Sequence, residues 1–583
     1  MLSHLKTDLL VVGGGTGGTA AAIQAARRGV KTILVSETPW LGGMLTSAGV
    51  AAPDGSELAA WQTGLWGAFL RSLRREQSGG LNHAWVSFFT FTPRVGASIF
   101  ERWASQLPHL TWIKAQVPLE VLRQGDRVTG VRFADYQIEA RITLDGTELG
   151  DLLALGDIPH RWSWEWQAEF DEPSAPLEPN AVSDRYPVQS PTWVFLMQDY
   201  GDQPAPKISP LPGYDPTLFK DAWKNYGVER FLTYGRLPNQ QYMLNWPIFG
   251  NDYGHDLNRL IGTSAEKQAF LQEAYEHSYH FAYFLQQETG KNLGLALEAF
   301  PAINHPLKNR STAFALHPYY RESRRLRGQV TITERMILPQ SGGVVAPLPL
   351  YQDRVSSIAV GNYPNDHHYP GFEFPLAPKS LRWGGYWTGT PFSIPYQSLV
   401  PEKIQGFLVC EKNISVSHMA NGSTRLQPLV MNIGQAAGMA AALCIEQNCE
   451  PEALSVRSLQ EALLTDSLAP AAVIPCFNLP PDHPEWLTWQ RYYLEHPQDY
   501  PLDGNCPCLS QAYQFQGSEV YEGIFEKINE QEYHFHIDLE PTVTWQLVTT
   551  RPEINAQFQQ LETGTKLTLS GDYNESENWF IVY

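Results

Sequence analysis

The feature that most constrains this chain lies between residues 8 and 37. Residues 8–12, DLLVV, are a short apolar run suited to a buried parallel strand. Gly13-Gly14-Gly15-Thr16-Gly17-Gly18 follows at once, then TAAAIQAARRG, small and apolar at helical spacing and ending at Gly29, a natural helix C-cap. A second apolar run, Val30 to Val35, leads to Glu37. Strand, glycine turn, helix, strand and acid form a βαβ unit that binds a dinucleotide. Gly13 permits the tight turn, Gly15 lets a pyrophosphate reach the backbone, and Gly18 lets helix and strand pack closely. The helix N-terminus presents free N–H groups and a positive dipole end to phosphate. Glu37 stands where an acid accepts from ribose hydroxyls, which disfavours a 2′-phosphate and hence NADP.

Composition narrows the rest. The chain has 583 residues, room for three to five domains at about 100–200 residues each. Lys plus Arg number 42 against 61 Asp plus Glu, a net charge of −19. Such a mean field repels phosphate, so no nucleic-acid partner is expected. No long apolar run reads as a membrane span. The start, MLSHLKTDLLVVGGG, lacks the pattern of a signal peptide. The six cysteines all fall between Cys410 and Cys508, which is no secreted disulfide framework. A cytoplasmic protein is expected.

The loop after the second strand, Pro39-Trp40-Leu41-Gly42-Gly43-Met44-Leu45-Thr46, resembles FAD enzymes of the glutathione-reductase-like superfamily, where a Gly-Gly pair wraps the ribityl and pyrophosphate. Within that superfamily the chain resembles the FAD-dependent oxidoreductase family, over roughly residues 5–450. RITLDGTELGDLL (141–153), QYMLNWPIFGNDY (241–253), PYYRESRRLRGQVTITE (318–334) and the stretch 395–442 carry the likeness. Where the family often has small-Gly-Arg, this chain has Cys410-Glu411-Lys412. The resemblance implies an α/β fold: a Rossmann-like FAD domain of glutathione-reductase type with an inserted α+β substrate or cap domain. It implies FAD contacts at the glycine turn, Glu37, Gly42, Gly43, Met44, Thr46, Val117, Asp145, Gly434 and Gln435. The small-residue helix beginning near Gly434 would aim its N-terminus at the flavin, where reduction accumulates negative charge.

Four residues are candidates for orienting a small-molecule substrate or moving a proton: Arg321, Arg324, His418 and Arg425. Arg321 and Arg324 are spaced i, i+3 and on a helix would share a face. The bland alternative for this basic patch is a solvated face or ion pairs with Glu322 and Glu334. No metal site is expected, because adjacent His367 and His368 on a strand point to opposite faces. No second GxGxxG appears, and no cysteine precedes Cys410, which excludes dithiol chemistry at the first flavin loop.

The expected organisation is an FAD domain at 1–155 and 396–450, a cap at 156–395 and a helical connector at 451–505. A small β-barrel-like domain of OB-like type is expected at 506–583. WSWEW, 162–166, alternates like a strand edge, and 265–289 has helical periodicity. The expected activity is hydride transfer between a small molecule and flavin N5. A flavin monooxygenase and a non-catalytic FAD-binding interaction protein are the alternatives.

Overall fold

The computed structural model describes residues 2–303, 307, 310–340, 342–509, 520–539 and 542–583. Its first sheet is built on β1 (Ser3–Val12), β2 (Thr32–Val35), β3 (Leu110–Ile113), β4 (Glu120–Gln124), β5 (Arg127–Arg132), β6 (Tyr136–Asp145) and β7 (Phe407–Val409). The strand order is β3-β2-β1-β6-β5-β4, with β7 also pairing β6. β3, β2, β1, β6 and β7 run parallel. The last four residues of β1, Leu9 to Val12, are buried, as a parallel strand covered on both faces requires.

Register sets the site. Val12 pairs with Val35 and with Asp145, and Asp145 pairs with Val409. Four strands therefore end at one level, and the loops after them, including Gly13–Gly15, Glu37 and Glu411, gather along one carboxyl edge. Ligands of open α/β sheets bind in that crevice. Because β7 joins the sheet more than 260 residues after β6, everything between them is an excursion from one scaffold.

Two helices cross behind the sheet. α1 (Thr16–Arg27) follows the glycine turn, and α2 (Gln427–Gln447) follows β7. They touch through small residues at matching i, i+4 positions. A Cβ on Gly434 would lie 2.1 Å from the Gly17 carbonyl oxygen, and one on Gly438 2.2 Å from that of Ala21. α2 is long and apolar enough to cross a membrane by composition, but it is almost wholly buried inside the protein. Its start corrects the sequence reading: the helix begins at Gln427, with Pro428 in its first turn, and Gly434 lies two turns in. A separate helix, His418–Thr424, precedes it.

The excursion carries a four-stranded antiparallel sheet, ordered 293–295, 195–199, 241–244, 236–237, and the long helix Ser264–Glu288 where periodicity predicted one. WSWEW is not a strand: only His160–Arg161 pairs, and Ser163 at φ 84° breaks the extended run. Helices Val456–Leu464 and Trp486–Glu495 follow α2.

The C-terminal unit has its own core, built on Phe525, Tyr533, Phe535, Leu547, Phe558 and Phe580. Its strands are ordered 566–569, 521–529, 532–537, 545–549, 579–582, 571–574. The two outer members are separated only by Ser570, so one bent segment serves both edges of the sheet. Strands 545–549 and 579–582 are parallel, and helix Pro552–Gln560 packs Ile554 and Phe558 inward. The described part of the expected 506–583 domain excludes residues 510–519 and 540–541.

Candidate active site and cofactor cleft

A cleft opens at the carboxyl edge of the first sheet. Gly13, Gly14, Gly15, Glu37, Gly43 and Val117, all named from sequence, line it together with Glu148. Gly13 has φ 106°, and a Cβ there would meet the Gly146 carbonyl oxygen at 2.2 Å, so only glycine makes this turn. The second loop folds onto the first: Gly42 N–H donates to the Gly14 oxygen (3.1 Å), and the Thr16 hydroxyl donates to the Gly42 oxygen (2.8 Å). Thr16, Gly17, Gly18, Gly42, Met44 and Thr46 thus build the turn from behind rather than its open wall. The Thr46 hydroxyl is spent on the Leu41 oxygen (2.6 Å).

Behind the turn lies a buried charge cluster. Glu411 accepts from Gly17 N–H at 2.7 Å, at the first turn of α1. Lys412 reaches Glu148 at 2.5 Å and Glu411 at 3.2 Å, with the Lys412 and Glu411 side chains inaccessible to solvent. Burial pushes the Glu411 carboxyl up, against the pull of Lys412. For Lys412 burial acts downward, but Glu148 and Glu411 outweigh it and hold the ammonium charged. These residues are the place where the sequence departs from the family pattern, and the structure gives the departure a partner set. Asp145 is buried next to them. Its carboxylate accepts from Thr147 N–H (3.0 Å) and the Thr147 hydroxyl (2.7 Å), and burial pushes its pKa up to about 7.

A second, inner cavity of about 180 Å³ lies at the N-terminus of α2. Val50 and Ala52 from the loop after Gly43, Leu426 and Gln427 from α2, and Arg321 and Arg425 line it. Both guanidinium groups are buried and held by an alternating chain of charges. Arg425 donates to the Tyr319 hydroxyl (2.6 Å) and to Asp366 (2.9 Å). His368 bridges Asp366 (2.9 Å) and Asp252 (2.8 Å). Asp252 pairs with Arg321 at 3.0 Å and accepts from the Thr192 hydroxyl. Burial raises the Asp252 carboxyl, but Arg321 and His368 outweigh it and hold it at about 2. Asp366 is likewise driven below the usual range, burial being overcome by His368 and Arg425. The Nε atoms of both arginines and the Gln427 side-chain oxygen are buried without a hydrogen-bond partner, so the cavity wall keeps donors and an acceptor in reserve.

The other sequence candidates go elsewhere. Residues 321–324 are not helical, so Arg321 and Arg324 do not share a face. Arg324 turns to the Leu149 oxygen (2.9 Å) and Asp151 (3.2 Å). The patch is not a solvated face: Arg325 is fully buried against Glu165 (2.9 Å) and Glu322 (3.1 Å). Glu334, the other expected partner, binds Ser174 instead. His418 is sealed in the core, its Nδ1 on Glu322 (2.9 Å), its Nε2 on the Tyr369 hydroxyl (2.6 Å), and Trp164 across its face at 4.1 Å. Gly434 and Gln435 do not reach the cleft. Gly434 abuts α1, and the Gln435 amide accepts from Leu65 N–H (2.8 Å) and donates to the Ala469 oxygen (2.8 Å). His367 and His368 diverge, His367 bonding Tyr369 and the Met419 oxygen. Sequence reasoning missed Asp366, His368 and Asp252 as site residues, and also Glu411.

The cleft fits FAD. A helix leaves its first N–H groups without intrahelical acceptors, and α1 places that end beside Gly13–Gly15. A Cβ on Gly15 would come within 2.6 Å of Glu411 and 2.9 Å of the Gly146 oxygen, so the glycine cradle leaves room that no side chain fills. Glu37 is exposed at the end of β2, open to hydroxyl donors.

Comparison with known proteins agrees. Sarcosine oxidase subunit alpha from Corynebacterium sp. (strain U-96) is 45% identical over 58 residues, 10% of this chain and 6% of that protein. Digeranylgeranylglycerophospholipid reductase from Sulfolobus acidocaldarius is 49% identical over 39 residues, 7% of this chain and 9% of that protein. The chain therefore spans less than a tenth of the length of these relatives. Among solved structures, a geranylgeranyl bacteriochlorophyll reductase-like protein from Thermoplasma acidophilum is 10% identical, over 79% of this chain and 84% of that one, with a TM-score of 0.32. The family model for FAD dependent oxidoreductases matches residues 8–463. With that match over most of its length, the chain belongs to the FAD dependent oxidoreductase family, and FAD is its cofactor.

Proposed function

We propose that the protein oxidises or reduces a small molecule held in the inner cavity. The segment 156–395 acts as the cap over that cavity, and the C-terminal strands form a small β-barrel-like unit of OB-like order. Bound FAD supplies the two-electron chemistry, exchanging a hydride at N5. Gly13–Gly15, the first turn of α1, Glu37 and Val117 would hold the nucleotide, and the loop 42–52 with the start of α2 would face its ring.

The observation that carries this reading is the convergence at one small cavity of the α2 N-terminus and two buried arginines. A helix N-terminus and a guanidinium both favour negative charge, and in a dry cavity each acts more strongly than in water. Arg425 is fixed by Tyr319 and Asp366, so it stands oriented before any substrate arrives. Its Nε–H is buried without a hydrogen-bond partner. His368, gripped on both sides by Asp366 and Asp252, fixes the chain of charges that orients the two arginines.

Anaerobic bleaching of the flavin by a metabolite panel tests this. A reducing substrate is expected, and Arg425→Met is expected to slow its reduction of the flavin roughly 10²–10³-fold with flavin content kept. A flavin that no substrate or product panel can reduce or reoxidise, or an Arg425→Met protein reduced at the parental rate, would remove the inner cavity from the reaction.

A further inference from the structure

A second cavity, of about 330 Å³, lies outside the first and shares Asp54, Val86 and Tyr363 with it. Distant parts of the chain build its wall: the segments 54–57 and 85–88, Arg230, Tyr363 and Pro364, the hairpin 380–389, and the C-terminal unit, which contributes Gln546, Glu577 and Trp579. The lining is aromatic. Phe88 stands edge-on to Trp579 at 5.2 Å and against Tyr386 at 5.1 Å.

Its charges do not balance. Arg230 is neutralised by Glu577 at 2.7 Å and lies over Trp85, and Arg382 is neutralised by Glu532 at 2.6 Å and lies over Trp387. Asp54 and Glu57 remain, and among the described residues neither has a cation within 4.0 Å. Glu57 accepts from Gly55 N–H (2.9 Å) and the Asn362 amide (3.3 Å), and Asp54 accepts from the Tyr363 hydroxyl at 3.4 Å. Burial raises both carboxyls above the ordinary range. Around Asp54, Glu57 and Asp366 push the same way and Arg425 opposes. The buried Tyr386 hydroxyl, in the same wall, lies against Glu57. A desolvated carboxyl pair in an aromatic box lacks one thing, a cation, and aromatic faces favour cations as well.

We propose that the outer cavity is the entrance of the active site and selects an organic ammonium, a basic nitrogen on an apolar or aromatic body. Such a molecule pairs with Asp54 and Glu57, lays its body on Phe88 and Trp579, and passes Asp54 into the inner cavity. This rests on the reading of the inner cavity as the reaction site, and it gives the C-terminal unit a part in substrate choice.

Calorimetric titration of the FAD-loaded protein with benzylamine, benzyl alcohol and benzoate tests it. Benzylamine is expected to bind about tenfold or more tightly than either analogue, a gain of about 1.4 kcal/mol. It is expected to release protons, because pairing ionises a carboxyl whose pKa burial had raised. Asp54→Asn with Glu57→Gln is expected to erase the preference for the amine while benzyl alcohol binding persists. Glu57→Gln alone is expected to reduce the preference, and Trp579→Ala to weaken all three ligands. Benzoate binding as well as benzylamine, a preference that survives the double substitution, or no binding of any probe would overturn the proposal. These results are separable from failure at the inner cavity. A flavin bleached by a non-amine substrate, with no amine preference, sinks the entrance alone. An amine preference beside a flavin that nothing reduces sinks the reaction site instead.

Discussion

Replacing Gly17 with alanine is expected to leave no folded, flavin-bearing protein. Gly17 lies where α1 passes the turn after β7, and its added Cβ would sit 1.7 Å from the Cys410 carbonyl oxygen and 2.8 Å from the carbonyl carbon. The obstacle is main chain, and it cannot swing aside. Overpacking of a tight core costs about 1–3 kcal/mol, occasionally more, and a clash with fixed backbone belongs at or beyond the top of that range. Relief would require α1 to move off the turn, and α1 is already packed so tightly on Gly434 that a Cβ there would lie 2.1 Å from the Gly17 oxygen. The control is Gly29→Ala. Gly29 has φ 92° with nothing within 4 Å of a Cβ, so it carries only backbone strain, about 1 kcal/mol. Soluble yield, bound flavin per chain and thermal midpoint separate the two. A Gly17→Ala protein as stable and as yellow as Gly29→Ala would show that the helix and turn do not meet as described.

Lys412→Met is expected to cost about 3–5 kcal/mol at neutral pH, the usual loss when one partner of a buried ion pair is removed. Lys412 is the cation for both Glu148 and Glu411, and its removal leaves two carboxylates facing the glycine turn without a counter-charge. The deficit depends on pH. The Glu411 pKa is raised in the folded protein, so its contribution is fully present below the unfolded-state pKa, about 4.3. That contribution is lost as pH rises through the folded value. Without Lys412 the folded value rises further. The variant is expected to lie nearer the parent at pH 5 than at pH 8, and Lys412→Met with Glu411→Gln to recover part of the loss. Denaturant titrations at the two pH values measure this. A deficit that is equal at both, or that grows toward acid, would mean that Lys412 does not neutralise these carboxylates.

The parts of the site legible in the sequence are those made by neighbours in the chain. Gly13–Gly15 and Glu37 fall within one βαβ unit, so spacing alone places them in the cleft. Arg321 and Arg425 were legible as residues but not as a pair, because the cavity that joins them closes through α2 and the loop 50–54. Arg324 parts from Arg321 because residues 321–324 are not helical. Whether His418 was structural or functional was not legible, because Glu322, which holds it, lies 96 residues away. The bridge from Asp366 through His368 to Asp252 spans 116 residues between its last two members and has no local signature. Gly434 and Gln435 were assigned to the cofactor because a small-residue helix packs equally well against a flat ligand or another helix, and here α1 is what it meets. Asp54 and Glu57 stand out only when the strands at 380–389 and 579–582 are brought beside them.

The most direct test of the account is a crystal structure of the FAD-loaded protein. The account predicts the adenosine end beside Glu37 and Val117, the pyrophosphate against Gly13–Gly15, and the flavin ring against Val50 and the start of α2 with Arg425 facing it. A ring seated away from the inner cavity, or a nucleotide that avoids the glycine turn, would contradict it.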